Sequence, residues 1–172
     1  MIATTDLDGQ IRKTGDTYEL VFRRRYAKPI EKVWAALTIP ERIADWLANA
    51  TIEPDLRLGA RFALHFPVQD YRMAGEIVEL EPPRLIAWTW PDPNDAGKPA
   101  SVVRFELAPD GAGCILTLTN SDIVKPDLAD VSAGWHTHLE ALPGAADAIH
   151  ARWTPDREKP HAARYKALTE KL

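Results

Sequence analysis

The sequence predicts an α+β domain in which a curved antiparallel sheet grips one long C-terminal helix, with two short helices after the first long strand. Two observations carry this. Between residues 126 and 150, Leu128, Val131, Trp135, Leu139, Leu142, Ala146 and Ile149 recur at steps of three and four, an apolar stripe along a helix that needs a surface to cover it. Between Arg61 and Ser121, four segments alternate apolar and polar residues with a period of two, as strands with one buried face do. Stripe and sheet face are each other's partners, and a curved sheet under a helix leaves room for a cavity.

The elements follow in order. Gln10 to Lys13, a turn at Thr14-Gly15-Asp16 and Thr17 to Tyr26 read as a hairpin, with Tyr18, Leu20 and Phe22 on one face. Pro29 opens a short helix where no backbone donor is needed, and Ile30, Val33, Trp34 and Leu37 form its buried side. Thr38-Ile39-Pro40-Glu41 has the form of a capping box, which predicts a second helix through about Leu47. After Pro54 and the turn at Leu58-Gly59 come the strands. Phe62, Leu64 and Phe66 share a face opposite Arg61 and His65. Tyr71 to Leu80 follows, with Gly75 permitting a bend, a bulge or a close approach. Beyond Pro82-Pro83, Ile86, Trp88 and Trp90 share the face of the next strand. Pro91 to Pro99 reads as a surface hairpin loop, with a lid as the functional alternative. Val103, Phe105 and Leu107, then Leu116 and Leu118, make a further hairpin about Asp110-Gly111-Ala112-Gly113. Pro143-Gly144 predicts a kink in the long helix or two helices end to end. Asp156 to Leu172 suits a short helix, packed weakly through Tyr165, Leu168 and Leu172 on the domain or on a second copy in a homodimer.

A length of 172 residues without an internal linker predicts a single domain, 1–172, with a core of about 10–150 and a C-terminal extension from 151. The 21 Lys and Arg against 25 Asp and Glu leave a net charge of -4, so nucleic acid is not an expected partner. In Arg23-Arg24-Arg25 alternate residues point to opposite faces, which predicts a solvated edge with one arginine held by a carboxylate. Cys114 is the only cysteine, which excludes an intrachain disulfide and a Cys-rich metal module; its apolar strand predicts core packing. Met1-Ile2-Ala3-Thr4-Thr5-Asp6 carries no basic or apolar leader pattern, and no window reaches membrane-spanning length, so a cytoplasmic protein without membrane attachment is expected.

Several motifs, in this order, resemble one family. Arg24-Arg25-Tyr26-Ala27-Lys28-Pro29-Ile30-Glu31-Lys32-Val33-Trp34-Ala35-Ala36-Leu37-Thr38, then Pro40-Glu41 and Trp46, is similar to the opening of the START-like, helix-grip (SRPBCC, Bet v 1-like) superfamily. Leu58-Gly59-Ala60-Arg61-Phe62, Gly75-Glu76-Ile77-Val78-Glu79 with Pro82-Pro83-Arg84-Leu85 and Thr89-Trp90, Leu116-Thr117-Leu118-Thr119-Asn120-Ser121, and Gly134-Trp135 with Leu139 and Leu142 continue it. Together they cover about residues 17 to 142. They point to the subfamily named after the C-terminal domain of the activator of the heat-shock-protein-90 ATPase. The sequence departs from the pattern at Ala60, at Asn120 where histidine is common, and at Pro143. The resemblance implies the helix-grip fold and a set of roles that includes chaperone activation, ligand carriage and cyclase-like catalysis.

Binding of a small apolar or amphipathic molecule between sheet and C-terminal helix is the expected activity. A cofactor-free cyclase or hydrolase using the same cavity is the alternative, and a chaperone-directed interaction module is a third reading. Strand parity assigns the lining to Phe62, Leu64, Phe66, Met73, Trp88, Phe105, Leu116, Leu118 and Asn120, with Trp135 above and Trp46 near the mouth. Glu76, Arg104, Asn120, Asp122, His65 and His136 are weighed for acid–base or orienting work, and no catalytic residue is assigned. His136 and His138 lie two apart on a helix and diverge, and His65, His150 and His161 have no ligand-spaced neighbours, so no metal is expected. No P-loop, dinucleotide turn or serine-hydrolase elbow occurs, so no cofactor is expected either.

Overall fold

A computed structural model describes residues 7–151 and 153–172. The leader reading of Met1 to Asp6 lies outside the described residues. The strands are β1 Gln10–Thr14, β2 Thr17–Tyr26, β3 Asn49–Glu53, β4 Arg61–Phe66, β5 Tyr71–Glu81, β6 Leu85–Trp90, β7 Ser101–Asp110 and β8 Gly113–Ile123. All pairs are antiparallel, in one sheet ordered β1-β2-β8-β7-β6-β5-β4-β3. The helices are α1 Ile30–Thr38, α2 Pro40–Ile43, α3 Leu128–Ala145 and α4 Pro155–Thr169. No described helix is long and apolar enough to cross a membrane.

The period-two pattern sets the inner face. Leu20 and Phe22 on β2, Phe62 and Leu64 on β4, Trp88 on β6, Phe105 on β7 and Leu116 and Leu118 on β8 are all buried beneath α3. Each apolar side chain of this size contributes about 1.5–3 kcal/mol on burial, which is what holds the helix to the sheet. Gly75 is a close-approach position: a Cβ there would lie 1.7 Å from the Thr89 carbonyl oxygen on β6. The register against β6 shifts between Ile77 and Glu79, so the bulge lies two residues beyond the glycine.

Four local expectations are corrected. β3 is an edge strand where no element was expected; only Ala50 and Ile52 turn toward the core, too few to show an alternation. Thr38 does not cap α2. Its hydroxyl donates to the Trp34 carbonyl at 2.8 Å inside α1, and Pro40 in the first turn of α2 removes one of the donors a cap would serve. The apolar stripe of α3 does not continue past Pro143, since the helix ends at Ala145 and Ile149 is 59% exposed. Pro143 has no N–H for the Leu139 carbonyl one turn back; the Tyr26 hydroxyl on β2 donates to that carbonyl instead, at 3.0 Å.

The fourth correction concerns α4, which is firmly docked. Tyr165 is fully buried, its hydroxyl accepts the Gly9 N–H at 2.7 Å, and Arg164 Nε donates to Asp8 at 2.7 Å. With α4 behind it and the sheet in front, α3 is buried almost all round, polar residues included. These polar groups are satisfied locally: Ser132 donates to the Leu128 carbonyl at 2.6 Å and Thr137 to the Ala133 carbonyl at 2.8 Å. Of the arginine run, Arg25 is exposed and pairs with Asp110 at 3.1 Å, while Arg24 is buried, its guanidinium 5.1 Å from the Phe22 ring centre.

Candidate functional site

A cavity of about 370 Å³ opens between the sheet and the N-terminal half of α3. The antiparallel order brings the ends of β4 and β6 together with the starts of β5 and β7, and so gathers Phe66, Trp90, Tyr71 and Ser101 at one end of the grip. Asn120 comes from β8, Val131, Gly134, Trp135 and His138 from α3, Leu47 from the turn after α2, and Glu158 from the first turn of α4. Gln69 and Asp130, both exposed, complete the lining. The walls are aromatic: Trp90 meets Trp135 edge-on with ring centres 5.8 Å apart, and Phe66 lies 6.0 Å from Trp90. A volume of this size suits a small organic ligand.

Both indole N–H groups are occupied within the protein. Trp135 Nε1 donates to Asn120 Oδ1 at 2.9 Å, and Trp90 Nε1 to the Tyr71 hydroxyl at 2.9 Å. Because indole only donates, Asn120 must present its oxygen to Trp135, and its amide nitrogen then reaches the Val102 and Ser121 carbonyls, each at 3.3 Å. The indole rings are thus fixed in orientation and offer apolar surface to the cavity. Burial pushes the Tyr71 phenol pKa up, which keeps it protonated.

His138 is the one histidine of the lining, and it is buried. Its Nδ1 lies 2.9 Å from the Trp46 carbonyl oxygen, which can only accept, so Nδ1 carries the proton and Nε2 keeps its lone pair. Burial pushes its pKa down to about 4, with Arg157 adding a smaller effect in the same direction and the bond to Trp46 opposing both. At neutral pH this is a neutral imidazole of fixed tautomer inside an aromatic cavity.

Of the residues expected at the site, Phe66, Asn120 and Trp135 line this cavity. Trp46, Phe62, Leu64, Met73, Trp88, Phe105, Leu116 and Leu118 are buried beside it, in the packed core. Trp88 is sandwiched there between Phe62 and Phe105, with ring centres 4.2 and 5.3 Å away. Trp46 wedges edge-on against Phe105 and donates to the Ala36 carbonyl at 2.8 Å; with Phe66 it also lines a second, smaller cavity of about 200 Å³. Trp90, Tyr71, His138 and Gly134 are additions from the structure. Trp90 shares the parity of Trp88, and His138 lies one turn from Trp135, so both signals were present in the sequence.

The acid–base candidates are dispersed. Glu76 and Asp122 are exposed, His65 is half-buried on the outer face, and Arg104 pairs with Glu79 at 3.0 Å on that face. The loop from Pro91 to Pro99 is tied back by Lys98, which pairs with Asp92 at 3.2 Å and with Asp127. His136 is buried on the far side of α3, against α4. There the expectation that His161 has no ligand-spaced neighbour is corrected, because α4 carries it to Glu140 and His136.

Comparison with known proteins agrees with this architecture. The family model described as Activator of Hsp90 ATPase homolog 1-like protein matches residues 27–147. The crystal structure of CalU16 from Micromonospora echinospora is similar at 28% identity and a TM-score of 0.72, covering 94% of this chain and 96% of that one. A solution structure of a protein from Bordetella parapertussis is similar at 28% identity and a TM-score of 0.69, covering 92% and 89%. The Aha1 of Colwellia psychrerythraea, described as a dimer, shares the fold at 17% identity and a TM-score of 0.66, covering 77% of this chain and 98% of that one. No curated protein matches the sequence.

Proposed function

We infer that this chain, which belongs to the Activator of Hsp90 ATPase homolog 1-like family, binds a small apolar or amphipathic molecule, with an aromatic or polycyclic body, in the cavity between sheet and α3. The observation that carries this reading is Gly134. It sits in the interior of α3, lines the cavity, and a Cβ added to it would meet nothing within 4 Å. A helix-interior glycine costs about 0.5–1 kcal/mol against alanine, and no neighbour demands it here. Space kept open at that cost is space for a guest. The fixed ring faces of Trp90 and Trp135 supply contact area, and His138 Nε2 supplies one acceptor for a hydroxyl or N–H on the ligand.

The test is binding of an apolar fluorescent probe to folded, ligand-free protein. Saturable, stoichiometric binding is expected, and Gly134→Phe, which fills the cavity from α3, should remove it while the far-ultraviolet circular dichroism is retained. Equal binding by the variant would refute the site.

His138 favours one second reading. A neutral imidazole with its lone pair free in a largely apolar cavity is a competent general base, so the same cavity supports cofactor-free cyclase or hydrolase chemistry. Once a binding ligand is found, His138→Gln separates the two: a carrier retains most of its affinity, whereas an enzyme retains binding and loses turnover.

A further inference from the structure

On the face of α3 turned away from the cavity, three donors from two helices converge. His136 Nε2 and Glu140 Oε1 lie one turn apart on α3, 3.8 Å from each other, and His161 Nε2 on α4 lies 3.0 Å from the same carboxylate oxygen. All three ligand atoms fall within 4.8 Å of one another. We propose that His136, Glu140 and His161 form a binding site for a divalent transition-metal ion, of the zinc type, that fastens α4 to α3.

Donor chemistry and spacing support this. A tetrahedral ion with bonds of about 2.0–2.2 Å holds its donors roughly 3.3–3.6 Å apart, so the pair at 3.0 Å must open and the pair at 3.8 Å close by a few tenths of an ångström. The two imidazoles now stack at 3.9 Å between ring centres with planes 20° apart, so metal binding requires the rings to splay, and His161, on the surface helix and less buried than His136, is the one to turn. Two imidazoles and one carboxylate leave a fourth position for water.

The surroundings are those of a ligating histidine. His136 Nδ1 lies 2.9 Å from the Tyr165 hydroxyl, which is fixed in turn by the Gly9 N–H at 2.7 Å, so the ring is oriented with Nε2 toward Glu140. A ligating imidazole donates its second nitrogen's N–H to such a partner, and the Tyr165 hydroxyl oxygen can accept it, which leaves the Nε2 lone pair for a metal. Of the cations nearby, Arg164 is engaged by Asp8, whereas the buried Arg24 beside the Phe22 ring opposes a second cation and is offset by the Glu140 and Asp8 carboxylates. An ion would add to the docking that Tyr165 and the Arg164–Asp8 pair already give α4, whose further apolar contacts come from Ala162 and Leu168.

Titrating the tag-free full chain with Co²⁺ should give the intense visible bands of a four-coordinate site, displaced by stoichiometric Zn²⁺. Zn²⁺ should also raise the melting temperature, and a chelator should reverse the rise. His161→Gln and Glu140→Gln, both on the outer side of the seam, should weaken Zn²⁺ binding by about 100-fold or more, and Tyr165→Phe, which frees the second nitrogen of His136, by about 10–100-fold. His161→Gln is the decisive variant, because His161 stands on the outer helix, whereas replacing the buried His136 also disturbs its contact with Tyr165. Equal Zn²⁺ binding by His161→Gln and the unaltered protein, or folded protein that shows neither the Co²⁺ bands nor a Zn²⁺-dependent melting shift, would overturn the proposal. Neither readout involves the apolar cavity, so the result is independent of the ligand-binding reading.

Discussion

The middle of the sheet and its open end carry the same pattern of side chains and reach opposite outcomes. In the middle, Phe62, Trp88 and Phe105 stack face to face under α3, and Trp46 enters from the α1–α2 side to close the remaining gap. At the open end, Trp90 stands tilted to Phe66 and edge-on to Trp135, each about 6 Å away, and the three enclose space. The difference lies in what covers them. The Trp46 indole reaches into the middle, whereas over the open end α3 presents, beside Trp135, only Gly134 and the half-buried Val131. Hydrophobicity is therefore a poor guide to a cavity; the small residue in the covering element makes it.

The largest expected effect sharpens this contrast from the filled side. Trp88→Ala should destabilise the fold by about 3–5 kcal/mol, because the Phe62–Trp88–Phe105 stack cannot collapse around the void. Trp90→Ala, at a half-buried site already facing open space, should cost about 1–2 kcal/mol and act mainly on probe binding. Urea denaturation of both variants checks the ranking. Equal losses would mean that the two regions are packed alike.

Alternation and helical periodicity disclosed the sheet, its inner face and α3, because burial on one side is what those periods encode. They could not separate Trp88 from Trp90, which share strand and parity and differ only in what lies over them. The α3 stripe by itself predicts one partner surface. The buried Ser132, His136, Thr137 and His138 show that it has more than one: the hydroxyls are satisfied one turn back on the helix, and the histidines by Tyr165 and Trp46, partners far off in sequence order. α4 was underestimated for a related reason: its mean composition is polar, and its anchoring rests on Tyr165 and a few ion pairs.

A second effect concerns the open end alone. The His138 pKa falls from its usual value of 6.5 to about 4 on folding, so between those limits the unfolded chain takes up a proton that the folded chain refuses. Stability is complete above about pH 6.5 and falls as the pH is lowered toward 4, by up to about 3 kcal/mol from this residue. His136, lowered likewise to about 4, acts in the same direction from the other side of α3. Comparing the pH dependence of unfolding in the unaltered protein and in His138→Gln isolates the cavity histidine, because His136 is common to both. Parallel curves would show that His138 is hydrated, and the cavity more open than its aromatic walls imply.

Asn120→Leu tests how the open end is held in shape. The Trp135 N–H loses its acceptor, and a buried donor without a partner costs about 1–3 kcal/mol. The more telling readout is the probe, since Trp135 no longer has a fixed orientation and affinity should fall more than stability does. Unchanged probe affinity would assign Asn120 to core packing rather than to the shape of the cavity.

The smallest effect has the opposite sign. Gly134→Ala places a methyl group in open space, with no neighbour within 4 Å to resist it, and replaces the residue least suited to a helix interior with the one most suited. The variant should be more stable than the unaltered protein by about 0.5–1 kcal/mol, read as a raised denaturation midpoint at unchanged slope. In the middle of the sheet no such gain is available: at Gly75 the added Cβ would fall 1.7 Å from the Thr89 carbonyl oxygen, so Gly75→Ala must force the strands apart and destabilise. One glycine is kept because nothing else fits. The other is kept although something else fits better, and the difference should appear as weakened probe binding by the stabilised Gly134→Ala protein, because the methyl group takes volume that the ligand would occupy. Stabilisation with undiminished binding would mean that the guest lies away from α3, against Phe66 and Tyr71 at the sheet end of the same cavity.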